Sequence, residues 1–274
     1  MPSEATKRLA AIVRPSGARI PLAEAALWIA AEEYPSLDVE EYLDRIDELA
    51  ERARERVGRY PPTERIARFN HLLFRELGFV GNRENYDDPR NSFLNEVLDR
   101  KVGIPITLAV VYTEIGSRMG LPVVGVGFPG HFLVRWMGER GALIDPFFGG
   151  VITREQCAEK LRSNYGPDAQ MDDRLLAPAT PRETLARMLR NLKLNYLGSG
   201  DLPRALSAVD RILVVTPDDA GELRDRGILY YRLECFAAAL EDFERYLALA
   251  PRDAMAEEIR ARLPGLRREA ARLQ

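Results

Sequence analysis

Histidine and a carboxylate are the side chains that together move protons near neutral pH, and this chain holds one such pair at a workable spacing, His131 and Asp145. The segments beside them, 132–136 and 142–144, are rich in branched and aromatic residues and bounded by glycines, as short strands are. A turn over 136–140 sets 135 opposite 141, 133 opposite 143 and His131 opposite Asp145, on one face and with Cβ atoms roughly 5 Å apart. A carboxylate beside an imidazole fixes its tautomer and supports it as a base, which is the orienting half of a catalytic triad. A slip of one residue would put the two on opposite faces, and a hydrogen bond that only staples two strands fits the same spacing.

Other reactive types are few. His71 is the second and last histidine, and with no CxxC or HxxxH spacing a zinc site has almost no ligands to draw on. The two cysteines, Cys157 and Cys235, are far apart in sequence, so no disulfide framework is implied and the cytoplasm is the expected compartment. Residues 1–20 lack the continuous apolar core of a signal peptide, and no stretch approaches the roughly 18 apolar residues of a membrane span. Apolar residues make up 46% of the chain and charged residues 30%, the balance of a globular protein with a substantial core. A net charge of −3 offers no field to draw a polyanion, which argues against nucleic-acid binding.

The elements that must position the pair can be read from periodicity. Apolar residues at Leu22, Ala25, Ala26, Ile29 and Ala30 mark a helix. Asp38 opens a second one through Tyr42, Leu43, Ile46 and Leu49, and a third, with Thr63 as its cap, runs through Ile66, Phe69 and Leu73 to Gly78. Residues 82–91 are polar and aperiodic and read as a loop, with Asp88 and Pro89 starting a short helix through Phe93, Leu94, Val97 and Leu98. The helix that Pro105 starts is apolar nearly all round between Ile106 and Met119, so it belongs at the centre of a domain, and Gly120 and Pro122 end it. Strands at 123–126, 132–136 and 142–144 follow as a meander. Thr153 caps a short helix through Cys157 and Leu161. Residues 164–181, with Pro167, Pro178 and Pro181, read as the connector between a domain at 1–165 and another at 181–274.

The C-terminal part repeats. Tyr196 and Tyr230, Ala205 and Ala239, Leu206 and Leu240, Val209 and Phe243, and Pro217 and Pro251 are all 34 residues apart. That period, with aromatic, small and proline positions, resembles tetratricopeptide helical hairpins, although Lys193 stands where the first repeat's glycine is expected. Residues 255–273, rich in arginine and glutamate, read as a solvating cap helix.

The order of buried helix, Gly-Leu-Pro, strand with His131 and strand with Asp145-Pro146 resembles the papain-like core of transglutaminases. Gly-Asn-Arg-Glu-Asn-Tyr (81–86), Asp-Pro-Arg-Asn-Ser (88–92), Arg-Lys-Val-Gly-Ile-Pro-Ile-Thr-Leu-Ala (100–109), Gly-Phe-Pro-Gly-His-Phe-Leu-Val-Arg (127–135) and Ile-Asp-Pro-Phe-Phe-Gly-Gly (144–150) are similar to the bacterial SirB-type proteins, which join this core to tetratricopeptide repeats. The resemblance implies an α+β fold: a helical N-terminal region, a small antiparallel sheet around a buried helix, then all-α hairpins. It puts His131 and Asp145 at the family's catalytic histidine and aspartate positions, facing the first turn of the central helix. In active members that turn carries the nucleophilic cysteine; here it reads Pro105, Ile106, Thr107, and Thr107 alone has a nucleophilic atom.

The expectation is therefore a non-catalytic or regulatory binding protein whose repeats dock a protein or peptide partner, with no cofactor. The alternative is a hydrolase or acyltransferase that uses Thr107, or a water activated by His131, with Asp145 orienting the ring. The sequence does not give the oligomeric state.

Overall fold

The computed structural model describes residues 2–14, 20–138 and 141–272, and it divides into two compact units, Met1–Met188 and Leu189–Gln274. Residues 15–19 of the stretch read for a signal peptide, 139–140 of the expected turn and 273 of the cap helix lie outside the described residues. No described helix is long and apolar enough to cross a membrane.

The first unit begins with α1 (Glu4–Val13), α2 (Leu22–Ala30), α3 (Val39–Val57) and α4 (Pro62–His71). Ser3 and Asp38 cap α1 and α3, their side chains accepting from the N–H groups of Thr6 and Glu41 that a first helical turn leaves open. Thr63 lies inside α4 rather than capping it, because Pro62, which has no N–H to satisfy, takes the first position. The helix continues as a π-helical turn, Leu72–Glu76, in which Leu77 N–H donates to Leu72 O at 2.8 Å.

Two short strands, β1 (Val80–Gly81) and β2 (Val102–Gly103), pair in parallel, Gly81 opposite Gly103. Between them the expected helix from Asp88 is split. Asp88 caps a 3₁₀ turn, Pro89–Ser92, and Phe93 at φ −97° and ψ 125° breaks the chain before α5 (Leu94–Arg100). Next comes α6 (Pro105–Arg118), buried from Pro105 through Tyr112 as its composition requires.

A four-stranded antiparallel sheet follows in the order β3 (Val123–Val126), β4 (Leu133–Trp136), β5 (Ala142–Asp145) and β6 (Gly150–Ile152). Its two faces are told apart by the alternation of side chains. Val123 turns to α6, where a Cβ on Gly116 would meet it at 2.8 Å. Val126, Leu133 and Ile152 turn the other way and form a core cluster with Cys157 and Leu161 of α7 (Arg154–Tyr165). The hairpin register differs from the expected one. Arg135 pairs with Leu143 and Trp136 with Ala142, a shift of two residues that places Leu133 opposite Asp145. His131 therefore precedes β4 instead of facing Asp145 across the ladder. Because the side-chain period is also two, the shift leaves both on the same face.

Residues 166–180 are not a free connector. Leu176 belongs to the α7 core cluster, Val126 bridges to Pro178, and Ala179 N–H donates to Gly125 O at 2.8 Å. The division between units falls later, inside α8 (Pro181–Gly198).

The second unit is all helix: the rest of α8, α9 (Leu202–Val215), α10 (Ala220–Arg232), α11 (Phe236–Leu249) and α12 (Ala256–Arg272). Ala205 and Ala239 are both fully buried, as a hairpin crossing of small residues needs. The exception at Lys193 has a physical account. At the equivalent position, a Cβ on Gly227 would lie 2.6 Å from the Phe243 ring. The 34-residue period puts Val209 where Phe243 stands, so the small residue and the large one exchange sides. Lys193 is buried with its ammonium on Glu222 (2.7 Å) and Asp225 (2.9 Å).

Candidate functional site

His131 is delivered by a tight turn. Pro129 and Gly130, the latter at φ +66°, are the central residues, and His131 N–H closes the turn on Phe128 O at 3.0 Å. A positive φ at the third residue is what a type II turn demands, and glycine adopts it without strain. The imidazole Nε2 lies 2.9 Å from Asp145 Oδ2. An ionised carboxylate can only accept, so Nε2 carries the proton, and in the neutral ring Nδ1 is left as an acceptor. Nδ1 has no hydrogen-bond partner among the described residues, and the side chain is only 10% exposed.

Asp145 is held on all sides. Its Oδ1 accepts from Phe147 N–H (3.1 Å) and Phe148 N–H (3.3 Å), while Oδ2 takes His131 and, at 3.4 Å, Lys160 Nζ from α7. Burial pushes this carboxyl up, but the His131 hydrogen bond, the charges of His131 and Lys160 and the Phe148 N–H outweigh it and hold the group below the ordinary value. The same backbone bonds shape the 145–149 turn, which Gly149 closes by donating its N–H to Asp145 O at 2.9 Å. That turn aims two rings at the histidine, with the centroids of Phe147 and Phe148 each 6.2 Å from the imidazole.

Around the pair the surface is aromatic and cationic. Phe148 is 52% exposed, with Arg83 at 4.6 Å and Lys160 at 4.1 Å from its ring. Tyr86, on the 82–91 loop, meets Phe147 edge-on at 5.8 Å. Arg187 of α8 donates to His131 O at 2.6 Å. Beside Asp145 a cavity of about 400 Å³ opens between β6 and α7, walled by Phe148, Val151, Gln156, Glu159 and Lys160.

Thr107 is fully buried in the first turn of α6, where its hydroxyl donates to Asn91 O (2.7 Å) and accepts from Ile104 N–H (3.2 Å). No hydrogen bond joins it to His131. The pair's polar contacts come from the 145–149 turn, α7 and α8, not from the first turn of α6. The Phe147 ring beside His131 lies so close on Gly81 that a Cβ there would come within 2.4 Å of it. Cys157 is enclosed in the α7 core, and burial, then the nearby Asp145 charge, pushes its thiol up. Cys235 is exposed in the second unit. No group of three or more metal-ligating side chains occurs among the described residues.

Sequence reasoning missed Lys160, Arg187 and the part played by Phe147 and Phe148. The Asp-Pro-Phe-Phe-Gly-Gly stretch is part of the resembling motif, and its Asp–x–Phe spacing is that of an Asx turn. Lys160 and Arg187 have no local signal, and Arg187 lay beyond the assumed boundary.

Residues 40–190 match the transglutaminase-like superfamily, and residues 192–264 match the tetratricopeptide repeat. A UPF0162 protein of Xylella fastidiosa is 41% identical over 259 residues, 91% of each chain. A UPF0162 protein of Pseudomonas aeruginosa is 34% identical over 84% of each. SirB1 of Salmonella typhimurium is 29% identical, covering 80% of this chain and 83% of its own.

Proposed function

The chain belongs to the transglutaminase-like superfamily, in the UPF0162 group with SirB1, and from that membership we propose that it binds a ligand at His131 without turning it over, while its repeats dock a partner protein. The observation that carries this reading is the state of Thr107. An attacking alcohol needs an accessible oxygen and a base to take its proton. Thr107 has neither: it is fully buried and its proton is directed at the Asn91 carbonyl. With Cys157 enclosed and its thiol pushed up, no thiolate stands beside the imidazole. What remains is an oriented acceptor in an aromatic setting, which is the chemistry of recognition. Both cysteines are free, which suits a reducing compartment, and we place the protein in the cytoplasm.

A second reading has one observation in its favour: the His131–Asp145 hydrogen bond is intact, and a water on Nδ1 would have a base beside it. A screen of amide and ester substrates on wild type and His131→Ala separates the two. The binding reading expects equal, background turnover; turnover that His131→Ala abolishes refutes it.

A further inference from the structure

The binding reading leaves open what the His131 site recognises, and three observations at the site narrow the chemistry. Nδ1, an acceptor in the neutral ring, lies on a side chain nine-tenths buried and has no partner among the described residues, so a bound group that brings a donor gains a hydrogen bond there. The walls beside it are π faces, Phe147 and the half-exposed Phe148 on one turn and Tyr86, 47% exposed, on the loop opposite. Cations stand over that wall, Arg83 and Lys160 on Phe148 and Arg187 anchored on the His131 carbonyl, while the Asp87 carboxylate acts on Tyr86. The site's one buried anion, Asp145, already faces His131 and Lys160. Glu159 lines the far side of the neighbouring cavity.

The three cations disfavour an ammonium, and a carboxylate has no proton to give a neutral imidazole. These features favour an aromatic ring, whose face attracts cations and packs on other rings. We propose that this site binds an aromatic ring bearing a neutral hydrogen-bond donor, the chemistry of a tyrosine phenol or a tryptophan indole, with the donor on His131 Nδ1 and the ring against Phe148. The proposal rests on the binding reading and adds the ligand class to it. It also gives the 82–91 loop a task, since Asn91 Nδ2 holds that loop by donating to Asn85 O (2.8 Å) and Tyr86 O (3.1 Å), which sets Tyr86 opposite Phe147.

The full chain labelled with ¹⁵N-histidine tests this, because it has only two histidines and His71 is an exposed internal control. The probes are p-cresol, 4-methylanisole, which has the ring without the donor, and cyclohexanol, which has the donor without the π face. The expected result is that p-cresol moves the His131 Nδ1 resonance and leaves His71 alone. The two control compounds bind roughly tenfold more weakly or not at all, the loss of about one hydrogen bond or one ring contact. Phe148→Ala, which removes an exposed side chain, weakens p-cresol binding. The ligand class is overturned if either control matches p-cresol, if Phe148→Ala changes nothing, or if no probe perturbs Nδ1 at tens of millimolar. None of those results bears on turnover, so the binding reading stands or falls separately on the His131-dependent substrate screen.

Discussion

Replacing Thr107 by valine keeps the shape of the side chain and removes only its hydroxyl, so it isolates what that oxygen does. In the wild type the hydroxyl satisfies Asn91 O and Ile104 N–H, both on residues less than 5% exposed. Valine leaves the two groups unpaired with no cavity to relax into. A buried polar group without its partner costs about 1–3 kcal/mol, so the two together cost roughly 4 kcal/mol at the middle of the range. For a unit of this size a loss of that order lowers Tm by roughly 8–16 °C. Thr107→Ser keeps both hydrogen bonds and gives up one methyl group, at about 1 kcal/mol. Urea unfolding followed by tryptophan fluorescence reads the right unit, because Trp28 and Trp136 are the only tryptophans and both lie in the first. The expected order of stability is wild type, then serine, then valine. Valine as stable as wild type, or serine less stable than valine, would refute the structural role given to the hydroxyl.

Ala239→Phe forces a ring into a fully buried hairpin crossing and should cost about 1–3 kcal/mol of the second unit's stability, read by far-ultraviolet circular dichroism; a wild-type melt means that the 34-residue register is misplaced. Glu222→Ala leaves Lys193 buried with only Asp225 and should cost roughly 3–5 kcal/mol, whereas Lys193→Met, which removes the charge and keeps the stem, should be close to neutral; equal losses in both would contradict the account of that pair. Asp145 titrates below its ordinary value of 3.8 in the folded protein, so its contribution is complete above that value and is lost as pH falls through the folded one. The stability gap between wild type and Asp145→Asn should therefore be constant near neutrality and close below about pH 4; a gap that stays constant down to pH 2.5 shows that the carboxylate gains nothing from its partners.

Long elements with strong periodicity were legible in the sequence. Buried α6, the capped α3 and the 34-residue hairpins each repeat their signal over several turns, and no tertiary contact overrides it. Short ones were not. The paired strands β1 and β2 hold two residues each, and β6 holds three and starts on a glycine, too few for any period to show. The hairpin register was misjudged because its turn residues carry no Asn-Gly or Pro-Gly signal to fix loop length. The His131–Asp145 pairing was nonetheless anticipated, since an error of two residues preserves the face. Residues 166–180 looked like a linker because prolines interrupt them, yet they supply backbone and side-chain partners to β3 and α7, which only the tertiary fold reveals. Lys160 reaches Asp145 from a helix whose sequence signals nothing but its Thr153 cap, and the bond from Thr107 to the Asn91 carbonyl has no signal in the sequence.

Covalent trapping asks most directly whether a nucleophile survives in this core. The full chain, with Cys235→Ser to remove the exposed thiol, is incubated with an activated acyl ester and mapped by peptide mass spectrometry, alongside the same protein carrying His131→Ala. The expected result is no acyl group on Thr107 or Cys157 and identical maps for the two proteins. An adduct on either residue that disappears with His131 would contradict it.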